Sequence, residues 1–221
     1  MKIVKYALTA ILYMIALQVA ATPEFNQDLL AVQQRWAEVN YTLSDDPQLA
    51  AFAALTDTAE ALVNDYPERA EAHAWLGIVL STRAGAVGGL SALDYAEAAK
   101  ASLERSLALD DQALQGSAYA SLGTLYFKVP GWPFGFGDDD KALELLKKSI
   151  AIAPESIDNN YFYADYLFEA SEYEAALAAV ERSLAAQPRV GRELADEYRH
   201  QAAQALYEKI QQKLAKRKRR H

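Results

Sequence analysis

Three groups of side chains have types and spacing that could support chemistry. Asp138, Asp139 and Asp140 are consecutive; Arg189, Arg192 and Arg199 fall close together near the C-terminus; and Trp132, Phe134 and Phe136 alternate along a segment rich in Gly and Pro. Three adjacent carboxylates suggest a cation, but a calcium loop needs carboxylates on every second residue and a distal Glu. The run better suits the start of a helix near Lys141, where one aspartate accepts an orphan backbone N–H and the positive helix end favours the others. The arginines could take an anion, although solvated or paired arginines are the more usual case. The aromatic segment has two readings. It forms a lip that anchors an apolar partner, since aromatic anchors dominate interface energies, or it folds back over a helix as a local cap.

Other chemistries lack the residues they need. Cysteine is absent, which removes disulfides, thiolate catalysis, thiolate metal sites and lipid-modified Cys. The only histidines, His73, His200 and His221, are far apart, leaving little material for a metal cluster. No Gly-x-Ser-x-Gly, Walker loop or His-Glu-x-x-His occurs, and no two carboxylates are spaced as an acid–base pair. The expectation is a non-catalytic protein without cofactor or metal.

The charge is uneven along the 221 residues. Lys2 and Lys5 precede an apolar run from Tyr6 to Leu17; Val19-Ala20-Ala21 then offers small residues before Thr22-Pro23. This is the layout of a secretory signal peptide, 1–21, and a twelve-residue apolar core is short for a membrane span. The mature chain is therefore expected to be exported and periplasmic. Setting aside the two N-terminal lysines and the six basic residues from Lys213 onward leaves 14 basic residues against 30 acidic ones. So acidic a body argues against nucleic acid. The basic tail is suited to an anionic membrane surface, or is a solvated helix end.

The elements that would position these residues come from an internal repeat. Ala99 to Leu107, Ala142 to Ile150 and Ala176 to Leu184 share a small residue, an apolar residue four later, then Ser and an aliphatic. Each runs into Asp111, Pro154 or Pro188, and a weaker match runs from Leu55 to Pro67, so the terminators are spaced 44, 43 and 34 residues apart. The preceding helices align on Leu76-Gly77, Leu122-Gly123 and Ala164, small residues where two helices cross closely.

These residues resemble the tetratricopeptide (TPR) repeat, whose unit is about 34 residues. The likeness covers roughly residues 55–188 and implies an all-α, TPR-like solenoid of antiparallel helix pairs. The organisation expected is a degenerate N-terminal pair (22–67), three repeats (68–188) and a C-terminal capping helix with a basic tail (189–221). Gly77 to Ala99 and Gly123 to Ala142 exceed the family interval by ten and seven residues, placing insertions at 83–91 and 128–140 at the bends. Val190 to Lys218 reads as one helix with a stripe of Leu194, Tyr198, Ala202, Ala205 and Leu206.

The resemblance further implies a concave groove lined by the first helix of each pair. Carried over by position, the lining is Glu71, Ile78, Thr124, Phe127, Asp158, Tyr161, Asp165 and Phe168. It is aromatic and acidic, suited to an extended peptide or a basic, partly apolar ligand; packing between repeats is the other reading for Tyr161 and Phe168. With Trp132, Phe134 and Phe136 this gives the expected partner-binding surface. The function implied is a periplasmic protein–protein interaction scaffold that holds an envelope protein or peptide, with a small ligand as a candidate. An exported TPR protein with long inserts also resembles the T-component proteins of tripartite, ATP-independent periplasmic transporters. That likeness implies an accessory that binds a ligand or partner.

Overall fold

The computed structural model describes residues 23–219, so the expected signal peptide, 1–21, lies outside the described residues. Nine helices follow one another among the described residues: α1 (Pro23–Thr42), α2 (Asp45–Asp65), α3 (Ala70–Val87), α4 (Ser91–Leu109), α5 (Ser117–Lys128), α6 (Asp139–Ile152), α7 (Ile157–Glu169), α8 (Tyr173–Ala185) and α9 (Glu193–Lys218). The first eight pair as hairpins that stack side by side, an all-α, TPR-like solenoid. The second helices end at Asp65, Leu109, Ile152 and Ala185, two or three residues ahead of Pro67, Asp111, Pro154 and Pro188. Where proline is the terminator, its ring disfavours α geometry in the residue before it.

The small residues of the repeat sit at the crossings. A Cβ added to Gly77 would lie 2.5 Å from Leu103 Cγ, and one on Gly123 2.9 Å from Leu146 Cγ. Ala164 fills the same place between α7 and α8 and is fully buried. The repeated serine also has a structural reason. Ser106 Oγ donates to the Ala70 carbonyl and Ser183 Oγ to the Ile157 carbonyl, each at 2.8 Å. Ala70 and Ile157 are the first residues of α3 and α7, so each serine ties the end of one helix to the start of its partner. In the middle hairpin Ser149 instead donates within its own helix.

Two expectations change. The extra residues of the first long interval form no loop: they lengthen α3 to Val87 and start α4 at Ser91, leaving 88–90 as the link. Only the second interval is a true excursion, 129–138, whose two ends meet where Gly131 bridges Gly137. The α9 stripe is also displaced. Its buried face is Ala195, Asp196, Ala203, Leu206 and Ile210, while Leu194 and Ala205 are exposed. Ala203, Leu206 and Ile210 cover α6–α8, but Ala195 belongs to the hydrophobic core of α1–α3. Besides capping the last repeat, α9 therefore runs back to the first. The rings of Tyr41 (α1) and Tyr198 (α9) stack at 4.6 Å, and Gln34 donates to the Gly191 carbonyl at 3.2 Å.

Candidate functional site

Closing the last helix onto the first turns the concave face into a groove of about 980 Å³. Its long wall comes from α3 and α5. Ile78, Ser81 and Gly85 on one helix, and Ser117, Ser121 and Thr124 on the other, recur at three- and four-residue spacing and so share a face. Several hydroxyls on this wall are already engaged: Ser81 and Thr82 donate to Ile78, Thr124 to Ala120 and Ser117 to Leu114. Thr82 also accepts the Trp36 indole N–H at 3.0 Å. With most of its donors spent on their own helices, the wall behaves as a largely apolar surface.

The link between α4 and α5 enters the groove in an unusual conformation. Leu114, Gln115 and Gly116 are consecutively left-handed, with φ of 49°, 58° and 72°. For a non-glycine residue this costs about 1–2 kcal/mol, so the surroundings must impose it. Asn159 does part of this, its Nδ2 donating to the Gln115 carbonyl at 3.0 Å and to the Ser149 carbonyl at 3.0 Å. Leu114, Gln115 and the fully buried Asn159 all line the groove.

The opposite wall is charged. Asp158 on α7 accepts from Arg199 at 2.7 Å and lies 2.9 Å from Arg189, which also binds Asp196. Burial alone would raise the Asp158 carboxyl, but Arg199, Arg189 and Arg192 outweigh it and hold it well below the ordinary carboxylate range. Burial likewise works against the charge on Arg189 and Arg199, and Asp158 raises both, joined for Arg189 by Asp196. Arg192 differs. Burial and the neighbouring Arg189 push it down, while the carboxylates of Asp158 and Asp196 are held by the other two arginines. Its guanidinium lies 4.8 Å above the Trp75 ring, and its Nε has no hydrogen-bond partner among the described residues.

The structure divides the sequence-derived residues. Ile78, Thr124, Phe134 and Asp158 line the groove. Glu71 pairs with Arg69 at 2.7 Å, and Asp165 reaches Lys128 at 2.8 Å. Phe127 meets Tyr166 edge-on, Tyr161 lies under Arg199, and Phe168 packs against Tyr173. Phe136 turns inward onto Tyr126, whereas Trp132 and Phe134 are 90% and 75% exposed. The segment thus folds back over α5 through Phe136 and leaves Trp132 and Phe134 facing outward. Asp138 accepts from the Lys141 backbone N–H at 2.9 Å and caps α6.

The groove has the opposite sign from the acidic lining expected. Four basic side chains (Lys128, Arg189, Arg192, Arg199) face it against one acidic, Asp158. Three of the four arrive from the link before α9 and from α9 itself. Trp36, Trp75, Asn159, Leu90 and Val190 also belong to the site and were not singled out for it from sequence, because nothing local marks the return of α9 to α1.

Fold and groove together define a helical-repeat solenoid closed around a concave site. No protein-family model and no curated protein matches the chain. Among solved structures it is similar to a crystal structure of MamA, with 17% identity and a TM-score of 0.43, covering 77% of this chain and 92% of that one. A second MamA structure gives 16% identity and a TM-score of 0.43, covering 90% and 96%. The fold assignment rests on the helix pairs described above.

Proposed function

We propose that this protein is a non-catalytic binding scaffold that docks a partner protein on the apolar rim of its groove. The observation that carries this reading is the rim itself. Leu90, Phe134 and Val190, from three different links, border the groove and are at least 75% exposed, and Trp132, two residues before Phe134, is 90% exposed. Scattered exposed apolar residues are ordinary, but a grouped set around a concavity marks an interaction site. The reading includes export to the periplasm, supported by the basic, apolar and small-residue order of residues 1–21. N-terminal sequencing of the exported protein should then begin at Thr22, and an intact Met1 would count against it.

The docking test is photo-crosslinking in cells from position 132 or 134, with the exposed Gln204 of α9 as control. A discrete adduct from the rim and none from position 204 is expected. Equal labelling from all three positions, or none from the rim, rejects rim docking. The groove's volume favours a second reading, a ligand-binding accessory of a solute transporter, because about 300–1,000 Å³ is the size of small-molecule sites.

A further inference from the structure

Positive charge is segregated in this molecule. Among the described residues, Lys209, Lys213, Lys216, Arg217, Lys218 and Arg219 succeed one another along the end of α9 with no carboxylate between them, and all six are exposed. Elsewhere Arg35, Lys100, Arg105, Lys128, Lys141 and Lys148 each hold a carboxylate at 3.8 Å or less. At the end of α9 only Arg217 does so among the described residues, reaching the exposed Glu174 at 3.5 Å. The helix itself does not call for this arrangement. Its negative C-terminal end favours cations in the last turn, Lys216, Arg217 and Lys218, but not as far back as Lys209 and Lys213. Lys209, Lys213 and Arg217 also stand four residues apart on one face, where like charges repel. None of the six lines the groove.

These cations share one edge of the solenoid with exposed apolar side chains. α9 runs alongside α7 in the same direction: Arg199 meets Asp158 in the first turn of α7, and the Lys213 ammonium lies 5.9 Å from the Phe168 ring centroid in the last. α5 points the same way. Asn159 donates to the Gln115 carbonyl near the start of both helices, and Lys128 reaches Asp165 towards the end of both. The excursion 129–138 therefore leaves α5 at the edge where α9 ends, and it carries the exposed Trp132 and Phe134. Leu90 belongs to the same edge, since the neighbouring Leu93 lies 3.4 Å from a Cβ added to Gly135 in the excursion. Val190, exposed just ahead of α9, marks the opposite edge.

We propose that this edge docks the protein on an anionic bilayer surface, with the end of α9 on the lipid headgroups and Trp132, Phe134 and Leu90 at the boundary between headgroups and acyl chains. Clustered Lys and Arg are attracted to anionic headgroups, and tryptophan settles at that boundary. The cations and the apolar side chains are set apart along the edge by α7 and α8, so a flat surface reaches both at once where a compact protein partner would not. The chain as a whole carries −8, so the rest of its surface is repelled by an anionic sheet and turns this edge towards it. The inference goes beyond rim docking. Purified chain and vesicles contain no partner protein, so either reading can fail without the other.

The test uses the chain from Thr22 onward, which holds every described helix, floated with vesicles of phosphatidylcholine alone and of phosphatidylcholine with one third phosphatidylglycerol. Binding at least tenfold tighter to the anionic vesicles is expected, weakening as salt is raised. The triple variant Lys216→Gln, Lys218→Gln, Arg219→Gln removes exposed charges that hold no carboxylate among the described residues, and should lose tenfold or more with an unchanged melting temperature. Trp36 and Trp75 are buried, so a blue shift of tryptophan fluorescence on the anionic vesicles reports Trp132 and should vanish in Trp132→Phe. Val190→Ser, at the other edge, should alter neither binding nor shift. Equal binding to both vesicles, no binding, or full binding by the triple variant overturns the proposal. Binding without the shift, or binding lost in Val190→Ser, overturns the assignment to this edge. Tighter binding of soluble polyglutamate than of the anionic vesicles assigns the cations to an acidic polypeptide and overturns the proposal as well.

Discussion

On α3 and α5 the inward row of the repeat, Ile78 and Thr124, borders open groove; on α7 the corresponding row, Asp158, Tyr161 and Asp165, is in contact with neighbours. The helices are built alike, with a small residue at each crossing and a serine in the paired helix. They differ in what arrives from elsewhere in the chain. The link before α9 and α9 itself bring Arg189 and Arg199 to α7, reach α3 at Trp75 through Arg192, and leave Ile78 and Thr124 bordering the groove. Repeat position alone thus does not make a residue a binding residue. In a solenoid whose last helix folds back, the same position supplies a groove wall in one hairpin and an ion-paired fastening in another.

The most damaging way to break this contrast is at the fastening. Asp158→Ala would leave Arg199, whose side chain is 11% exposed, without its carboxylate. Removing one partner of a buried pair typically costs about 3–5 kcal/mol. Asp158 itself keeps 22% exposure, so about 3 kcal/mol is expected in urea unfolding. The loss should separate α9 from α1, read as a changed environment of Trp75 beneath Arg192. An unchanged unfolding midpoint would show that the arginines hold α9 without the carboxylate.

Acid provides the same test without leaving a cavity. Because Asp158 is depressed in the folded state, its contribution is complete above the ordinary carboxylate pKa of about 3.9 and is lost as pH falls towards the folded value. The stability gap between wild type and Asp158→Asn should therefore be constant from about pH 8 to pH 5 and narrow below about pH 4. A gap that varies between pH 5 and 8 would point to another titrating group.

A smaller effect belongs to the shared framework. Gly123→Leu must displace Leu146 and the Ala142 carbonyl, 2.9 and 3.1 Å from an added Cβ. Overpacking of this kind costs about 1–3 kcal/mol. Ala164→Leu should cost a similar amount, since Ala164 has no exposed surface. If both variants melt as wild type does, the crossings are looser than this geometry requires.

The framework was legible in the sequence because it depends on local recurrence. Gly77, Gly123 and Ala164 each follow the same short-range pattern within their own helix, and so do the small residue, aliphatic and Ser of each paired helix, which made the repeat visible although the intervals between the two helices differ. The site was only partly legible, for two physical reasons. Asp196 is 1% exposed yet ionised groups are ordinarily on the surface, so a search for apolar periodicity placed the α9 stripe on Leu194 and Ala205 instead. The sign of the groove depends on Arg189, Arg192 and Arg199 meeting α7, a contact across 41 residues in the Asp158–Arg199 pair that no helical period encodes. The aromatic segment was half legible: its composition indicated a shaped loop, but alternation could not say that Phe136 points in and Phe134 out.

The finest test compares two carboxylates on α7 itself. Asp158 and Asp165 are seven residues apart, two turns along the same helix, and both form ion pairs under 3 Å. Asp165 reaches Lys128 at the end of α5, and that lysine side chain is 50% exposed, with its ammonium also 4.1 Å from the Phe127 ring centroid. An exposed pair gains little, because water competes for both charges and the lysine loses rotamer freedom to hold one geometry. A double-mutant cycle of Lys128→Met and Asp165→Asn should give a coupling of about 0.2–1 kcal/mol that fades in high salt. The fastening at Asp158 should respond to the same salt less, since Arg199, its partner at 2.7 Å, has a side chain only 11% exposed. A coupling at Asp165 as large as the loss at Asp158, or one insensitive to salt, would mean that the α5–α7 contact is a second fastening. The contrast between an open wall and a closed one would then lie between α3 and α5 rather than between α5 and α7.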